Sequence, residues 1–97
     1  MLRLSIHPGA HRDLENAILY YRERSPEAAL EFINTYEGAI ATALRVPQLD
    51  PLILDKVRRK ILRKFPYSLI YRSNQTELRL LAVSHQKREP YYWLGRS

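Results

Sequence analysis

KVRRKILRKFPYSLIYRSNQTELRLLAVSHQKREPYYWLGRS, residues 56–97, carries three apolar runs separated by turn signals, followed by a basic and aromatic tail. Val57 to Leu62 has the character of a strand whose polar side is crowded with basic residues. Phe65-Pro66 interrupts it. Proline removes a ladder donor and holds the preceding residue extended, so a bend or bulge is predicted there. Ser68 to Arg72 forms the next strand. Ser73-Asn74-Gln75-Thr76 is a turn, with Asn74 suited to positive φ. Leu78 to Val83 is apolar at 78, 80, 81, 82 and 83, the pattern of a central strand covered on both faces. Tight connections make the three strands an antiparallel meander.

Upstream of this stretch, Pro47 to Asp55 holds two prolines and reads as a loop. Ser25-Pro26-Glu27 starts a helix, with Ser25 as N-cap, Pro26 in the first position and Glu27 near the positive dipole end. That helix presents Ala29, Phe32, Ile33, Tyr36, Ile40, Ala43 and Leu44 on one face and ends before Pro47. Pro8 fits the first turn of an earlier helix. Its apolar face is Ala10, Leu14, Ala17, Ile18 and Tyr21, and its polar face is Arg12, Asp13, Glu15, Asn16 and Glu23. Tyr20, Tyr21 and Tyr36 read as packing residues. The short link predicts an antiparallel hairpin of the two helices. Leu2-Arg3-Leu4-Ser5-Ile6 alternates as a short half-buried strand.

The predicted architecture is α+β, in the order β-α-α-β-β-β, with the helical hairpin packed on one face of a small antiparallel sheet. The other face, carrying Arg and Lys from 57–63, is left open. The 97 residues are expected to form a single domain.

Charge divides the chain. Residues 1–55 carry −3 and residues 56–97 carry +9, giving the net +6. The back half is suited to an anionic partner: nucleic acid, a ribosome or an acidic protein. There is no cysteine, hence no disulfide and no thiolate metal site. No apolar run reaches the roughly 18–20 residues of a membrane span. The first residues lack a secretory apolar region. A cytoplasmic location and no membrane partner are expected.

His7 and His11 stand at ligand spacing, but no third ligand accompanies them, so no metal is expected. No glycine-rich phosphate loop or nucleophile elbow is present, and no cofactor is expected. Glu77 and Glu89 are the only acids after residue 55, which argues against a metal-dependent nuclease. Arg58, Arg59, Lys60, Arg63, Lys64, Arg72 and Arg79 form a basic set. Alternation along a strand puts Arg59 and Arg63 on one face and Arg58, Lys60 and Lys64 on the other. Either group can bind phosphates, or can protect a sheet edge from aggregation. His85, at the exit of the last strand, can move a proton in RNA cleavage. Arg88 can stabilise a developing phosphorane, and Tyr91, Tyr92 and Trp93 can stack bases. Equally, His85 can cap the sheet while the aromatic residues close the core.

VRRKILRKFPYSLIYR followed by LRLLAVSHQKREPYYW resembles the ParE/RelE superfamily of bacterial type II toxins. AHRDLENAILYYRERSPEAALEFINTYEGAI is similar to the front half of ParE-like members. The most specific pieces are Val57-Arg58-Arg59, Phe65-Pro66-Tyr67, Ile70-Tyr71 and His85-x-x-Arg88-x-Pro90-x-Tyr92-Trp93. The resemblance implies the toxin of a plasmid-stabilisation-type module, held silent by a cognate antitoxin in a hetero-oligomer. ParE-like members block DNA gyrase without a catalytic group. RelE-like members cleave mRNA on the ribosome without metal, and place an important arginine just before a Leu-Val-Tyr-like triplet. Here the triplet is Leu69-Ile70-Tyr71 and Ser68 precedes it. With the long hairpin, that departure favours the ParE branch. Under this branch the resemblance implies target contacts by Arg58, Arg59, Arg63, Arg72, Trp93 and Arg96. Under the RelE branch it implies His85 as acid or base, Arg59, Arg63 and Arg88 on phosphate and Tyr92 orienting the base. A decayed toxin that survives as a binding partner is a third reading.

Overall fold

The computed structural model describes residues 1–97. The chain forms β1 (Arg3–Ile6), α1 (Pro8–Arg22), α2 (Pro26–Arg45), a 3-10 turn (Pro47–Leu49), β2 (Leu52–Leu54), β3 (Val57–Ile61), β4 (Tyr67–Ser73) and β5 (Glu77–His85). The five-stranded sheet runs in the order β1-β5-β4-β3-β2. The helical hairpin on a largely antiparallel sheet is the architecture expected from the pattern of apolar residues.

Local chemistry sets the helix boundaries. The Ser25 hydroxyl accepts a hydrogen bond from the Ala28 amide at 3.0 Å, capping α2 as anticipated. At α1 the cap is His7, whose Nδ1 accepts from the Gly9 amide at 2.9 Å, and Pro8 takes the first helical position. His7 is therefore an end-cap. His11 lies 3.4 Å from Glu15 on an exposed flank.

Three details depart from the sequence expectation. The segment 47–55 is not a loop throughout, since Leu52–Leu54 pairs antiparallel with β3 as an edge strand. Asp55, at φ 46°, makes the two-residue turn that lets it do so. β1 joins β5 in parallel, so the sheet is mixed. Asn74 is not among the residues with positive φ. Its Oδ1 instead accepts from the amides of Thr76 and Glu77, both at 2.9 Å, closing the turn by side chain.

The main core lies between the hairpin and the sheet. Phe32, Leu69, Tyr71, Leu78 and Leu80 are fully buried there. Tyr21 stacks on Phe32 at 5.2 Å, and Phe65 meets both rings edge-on. Burying a side chain the size of Phe32 is worth about 1.5–3 kcal/mol. Tyr20 departs from the packing role expected of it. It is exposed, with the Arg24 guanidinium 3.5 Å above its ring.

A bulge shapes the other sheet face. Ile70 is opposite Ala82 while Tyr71 is opposite Leu80, leaving Leu81 as the extra residue in β5. Leu81 and Ala82 consequently pack in the same cluster with Ile70, and Trp93 covers them. Leu78 and Leu80 on one side of the bulge and Val83 on the other all stay with the main core.

Candidate functional site

The residues after β5 turn back across the sheet face opposite the hairpin. The Gln86 amide donates to the Pro66 carbonyl, and short turns at 88–96 keep the tail compact. Tyr91 takes φ 60° in this path. Trp93, 4% exposed, sits on Ile70, Leu81 and Ala82. It therefore closes a second, smaller core, one of the two roles open to it.

An acid on α1 fastens the tail. Asp13 Oδ2 accepts from Arg96 Nη1 at 2.8 Å, from the Tyr92 hydroxyl at 2.8 Å and from the Val83 amide at 3.2 Å. Arg96 Nη1 also donates to the Leu81 carbonyl at 2.9 Å. These bonds satisfy the free edge of β5 beyond the end of β1, where a strand would otherwise leave its polar groups unpaired. The Arg96 and Asp13 side chains are only 16% and 8% exposed, so the pair is shielded from solvent. Burial and then the hydrogen bond to Asp13 push the Tyr92 phenol up to about 12. Sequence reasoning put Asp13 on the solvent face of α1, and this is a correction. Its spacing of three from Ala10 and four from Ala17 sets it at the rim of the apolar face, and that was the available signal.

Beside Trp93 the tail, the start of β4 and the loop before it enclose an open groove of about 590 Å³. Arg59, Ser68, His85, Arg88 and Tyr91 line it. Exposed Ile61 adds apolar surface to the wall, and exposed Leu94 follows Trp93 in the tail. His85 Nδ1 accepts from the Lys87 amide at 3.0 Å, and its ring meets Tyr67 edge-on at 4.9 Å. Arg88 stacks over the Tyr92 ring at 3.8 Å. Tyr92 itself is outside the lining, its hydroxyl turned to α1. No buried side-chain polar atom in the molecule lacks a partner.

The basic residues of β3 part company as strand alternation requires. Arg59 faces the groove. Arg58 Nη1 donates to the Asp50 carbonyl at 2.6 Å, and Lys60 Nζ donates to Asp50 Oδ1 at 3.1 Å. Asp50, 8% exposed, also accepts from the Tyr71 hydroxyl. The open face is therefore less basic than the sequence suggests, because two of the β3 cations serve a buried acid on the hairpin side. Arg63 is exposed in the turn after β3, and Lys64 pairs with Glu31 of α2 at 3.2 Å. Arg72 faces the same side as the groove but beyond Trp93, in a separate cleft. Of the residues singled out in the sequence, the groove gathers Arg59, His85, Arg88, Tyr91 and Trp93. It does not gather Arg58, Arg72, Tyr92 or Arg96.

The family model for the ParE toxin of the type II toxin–antitoxin system parDE matches residues 4–90. The chain belongs to the ParE toxin family. It is 28% identical over 89 residues to Toxin ParE2 of Mycobacterium tuberculosis strain CDC 1551 / Oshkosh, covering 91% of this chain and 85% of that one. The same figures hold for Toxin ParE2 of strain ATCC 25618 / H37Rv. Its fold is similar to that in the solved chromosomal ParDE system of P. aeruginosa, with a TM-score of 0.75 and 22% identity. That match covers 88% of this chain and 96% of the other. The ParE branch, favoured in the sequence by Ser68 and the long hairpin, is the one these matches support. As a ParE-type toxin of a type II module, the chain carries its basic and aromatic tail as an integral layer of the fold. No helix of this ParE toxin is long and apolar enough to cross a membrane.

Proposed function

We propose that this ParE toxin acts in the cytoplasm by binding DNA gyrase through the groove beside Trp93, and that a cognate antitoxin silences it in a hetero-oligomer. The observation that carries the reading is the state of the tail. Tyr92, which the ribonuclease branch would use to orient the base, is committed to Asp13, and so is Arg96, expected from the sequence as a target contact. What stays accessible is apolar surface at Ile61 and Tyr91 in the groove, with Arg59 and Arg88 in the same lining, and at Leu94 in the tail. Exposed apolar area rimmed by arginine suits recognition of a folded protein.

An acidic, amphipathic antitoxin segment that folds on binding suits a partner with this charge. Its affinity should weaken with salt if charge dominates.

The experiment is a supercoiling assay with purified toxin and gyrase, run with and without antitoxin. Inhibition that the antitoxin reverses is expected. No inhibition at large toxin excess removes gyrase as the target. Specific cuts in ribosome-bound mRNA would instead move the reading to the ribonuclease branch.

A further inference from the structure

On the same sheet face, past Trp93, lies a second cleft of about 610 Å³ with no apolar residue in its lining. Arg72 on β4 is directly opposite Arg79 on β5. Like charges directly opposite on adjacent strands destabilise a sheet. Arg72 makes none of the molecule's ion pairs and neither does Lys56, which reaches the cleft from the turn between β2 and β3. Arg79 is held in place, donating from Nη1 to the Ser5 hydroxyl and from Nε to the Ser97 carbonyl at 3.3 Å. Glu77 also lines the cleft. It is in register with Arg3 on β1 and forms no ion pair with either arginine.

We propose that Lys56, Arg72 and Arg79 form a binding site for a phosphate-type oxyanion, with the Ser5 hydroxyl in its polar wall. Two guanidinium forks and an ammonium around one polar cleft match the tetrahedral oxygens of a phosphate, which accept several charge-assisted hydrogen bonds at once. A bound anion removes the repulsion across the Arg72–Arg79 rung. A free phosphate group and a nucleic-acid phosphodiester offer the same chemistry. The site is distinct from the groove beside Trp93 and does not depend on gyrase being the target.

The test is NMR of the arginine Nε–Hε signals of the whole chain at low ionic strength. Inorganic phosphate and a short DNA duplex are titrated separately. Arg72 and Arg79 signals should move saturably, and affinity should fall by about tenfold in both Arg72→Ser and Lys56→Ser, as expected for loss of one charge-assisted contact. Arg22→Ser, an equal charge change on exposed α1 surface, should leave affinity within about twofold once general screening is allowed for. A duplex that binds more tightly than phosphate identifies a nucleic-acid backbone as the source. Equal affinities identify a free phosphate group. Absence of saturable shifts with both probes overturns the proposal. So does equal weakening in Arg22→Ser, or tighter binding of a polyglutamate peptide than of either probe. Arg72 and Lys56 are both exposed, so the two variants test the site independently of folding.

Discussion

Arg96 is bonded to Asp13 at 2.8 Å across 83 positions of sequence, and the contact fixes the tail to the first helix. Removing Asp13 leaves Arg96, Tyr92 and the Val83 amide without their shared acceptor. Breaking a shielded pair from one side costs about 3–5 kcal/mol. Asp13→Ala should therefore lower unfolding free energy by about 3 kcal/mol in urea titrations. Arg96→Ala should cost less, because Asp13 keeps two donors. The double variant should show coupling of about 1 kcal/mol or more. Additive losses would mean that the pair does not hold the tail.

Gly9 gives a change of sign. A Cβ built there would lie 2.5 Å from Arg96 Cζ, and that guanidinium is pinned by Asp13 and Leu81. Gly9→Ala should destabilise the native chain. In an Arg96→Ala background the clash is gone, and the ordinary helix preference for alanine, up to about 1 kcal/mol, should make the same substitution stabilising. Thermal melts of the four chains decide it.

Tyr92 sets an alkaline limit. Its phenol is raised from 10.0 to about 12 in the folded protein, first by burial and then by the bond to Asp13. A raised folded value favours the neutral form. The contribution to stability is complete below pH 10 and is lost as pH rises through about 12. Tyr92→Phe should be less stable than the native chain at neutral pH, and the gap should close between pH 10 and pH 12. A constant gap across that window would contradict the assignment. Tyr71, raised by burial and by Asp50, adds an alkaline loss common to both chains.

His7 sets an acid limit of opposite sign. Burial, then Arg79, Arg96 and Arg12, lower its pKa from 6.5, while Asp13 opposes the shift. The neutral ring supplies the Nδ1 acceptor that caps α1. Its contribution is present above pH 6.5 and is lost as pH falls through the lowered value. Asparagine keeps a capping oxygen and does not titrate. Stability curves of His7→Asn and the native chain should therefore diverge only below pH 6.5.

Binding and stability should separate at the groove. Ile61 is 69% exposed and Leu94 57%, so Ile61→Ser and Leu94→Ser should change stability by no more than about 0.5 kcal/mol. Both should weaken gyrase inhibition. Trp93→Ala removes the cover of the second core and should cost about 3–5 kcal/mol. If the two exposed variants inhibit as well as the native toxin, the groove is not the gyrase contact.

Helix periodicity and caps made the hairpin readable from sequence, since Ser25, Pro26 and the spacing of Phe32, Tyr36 and Ile40 all agree. The last three strands were readable because each is bounded by turn chemistry. β2 was not. Three residues between Pro51 and a tight turn are too few to show a period, and only pairing with β3 makes them a strand. The parallel pairing of β1 with β5 joins distant segments and leaves no local mark. In the site, the tail's composition was visible but its partners were not. Asp13 and Asp50 act through contacts made across the fold, and a lone acid looks the same in sequence whether it meets water or three donors.

The bulge at Leu81 restricts how the chain can change in length. Each residue gained or lost in a strand exchanges its two faces. Deleting Leu81 itself would only restore regular alternation, with Leu78, Leu80 and Val83 still facing the main core and Ala82 the second one. Deleting Arg79 would instead turn Leu78 outward. Other changes of length should be pushed out to the turn at residues 73–76, since the tail after His85 is itself fixed by its turns and by the bonds of Tyr92 and Arg96 to Asp13. Between Leu78 and Val83 a one-residue gap should be tolerated only at Leu81, and gaps placed at the other positions when such toxins are aligned mark errors of alignment.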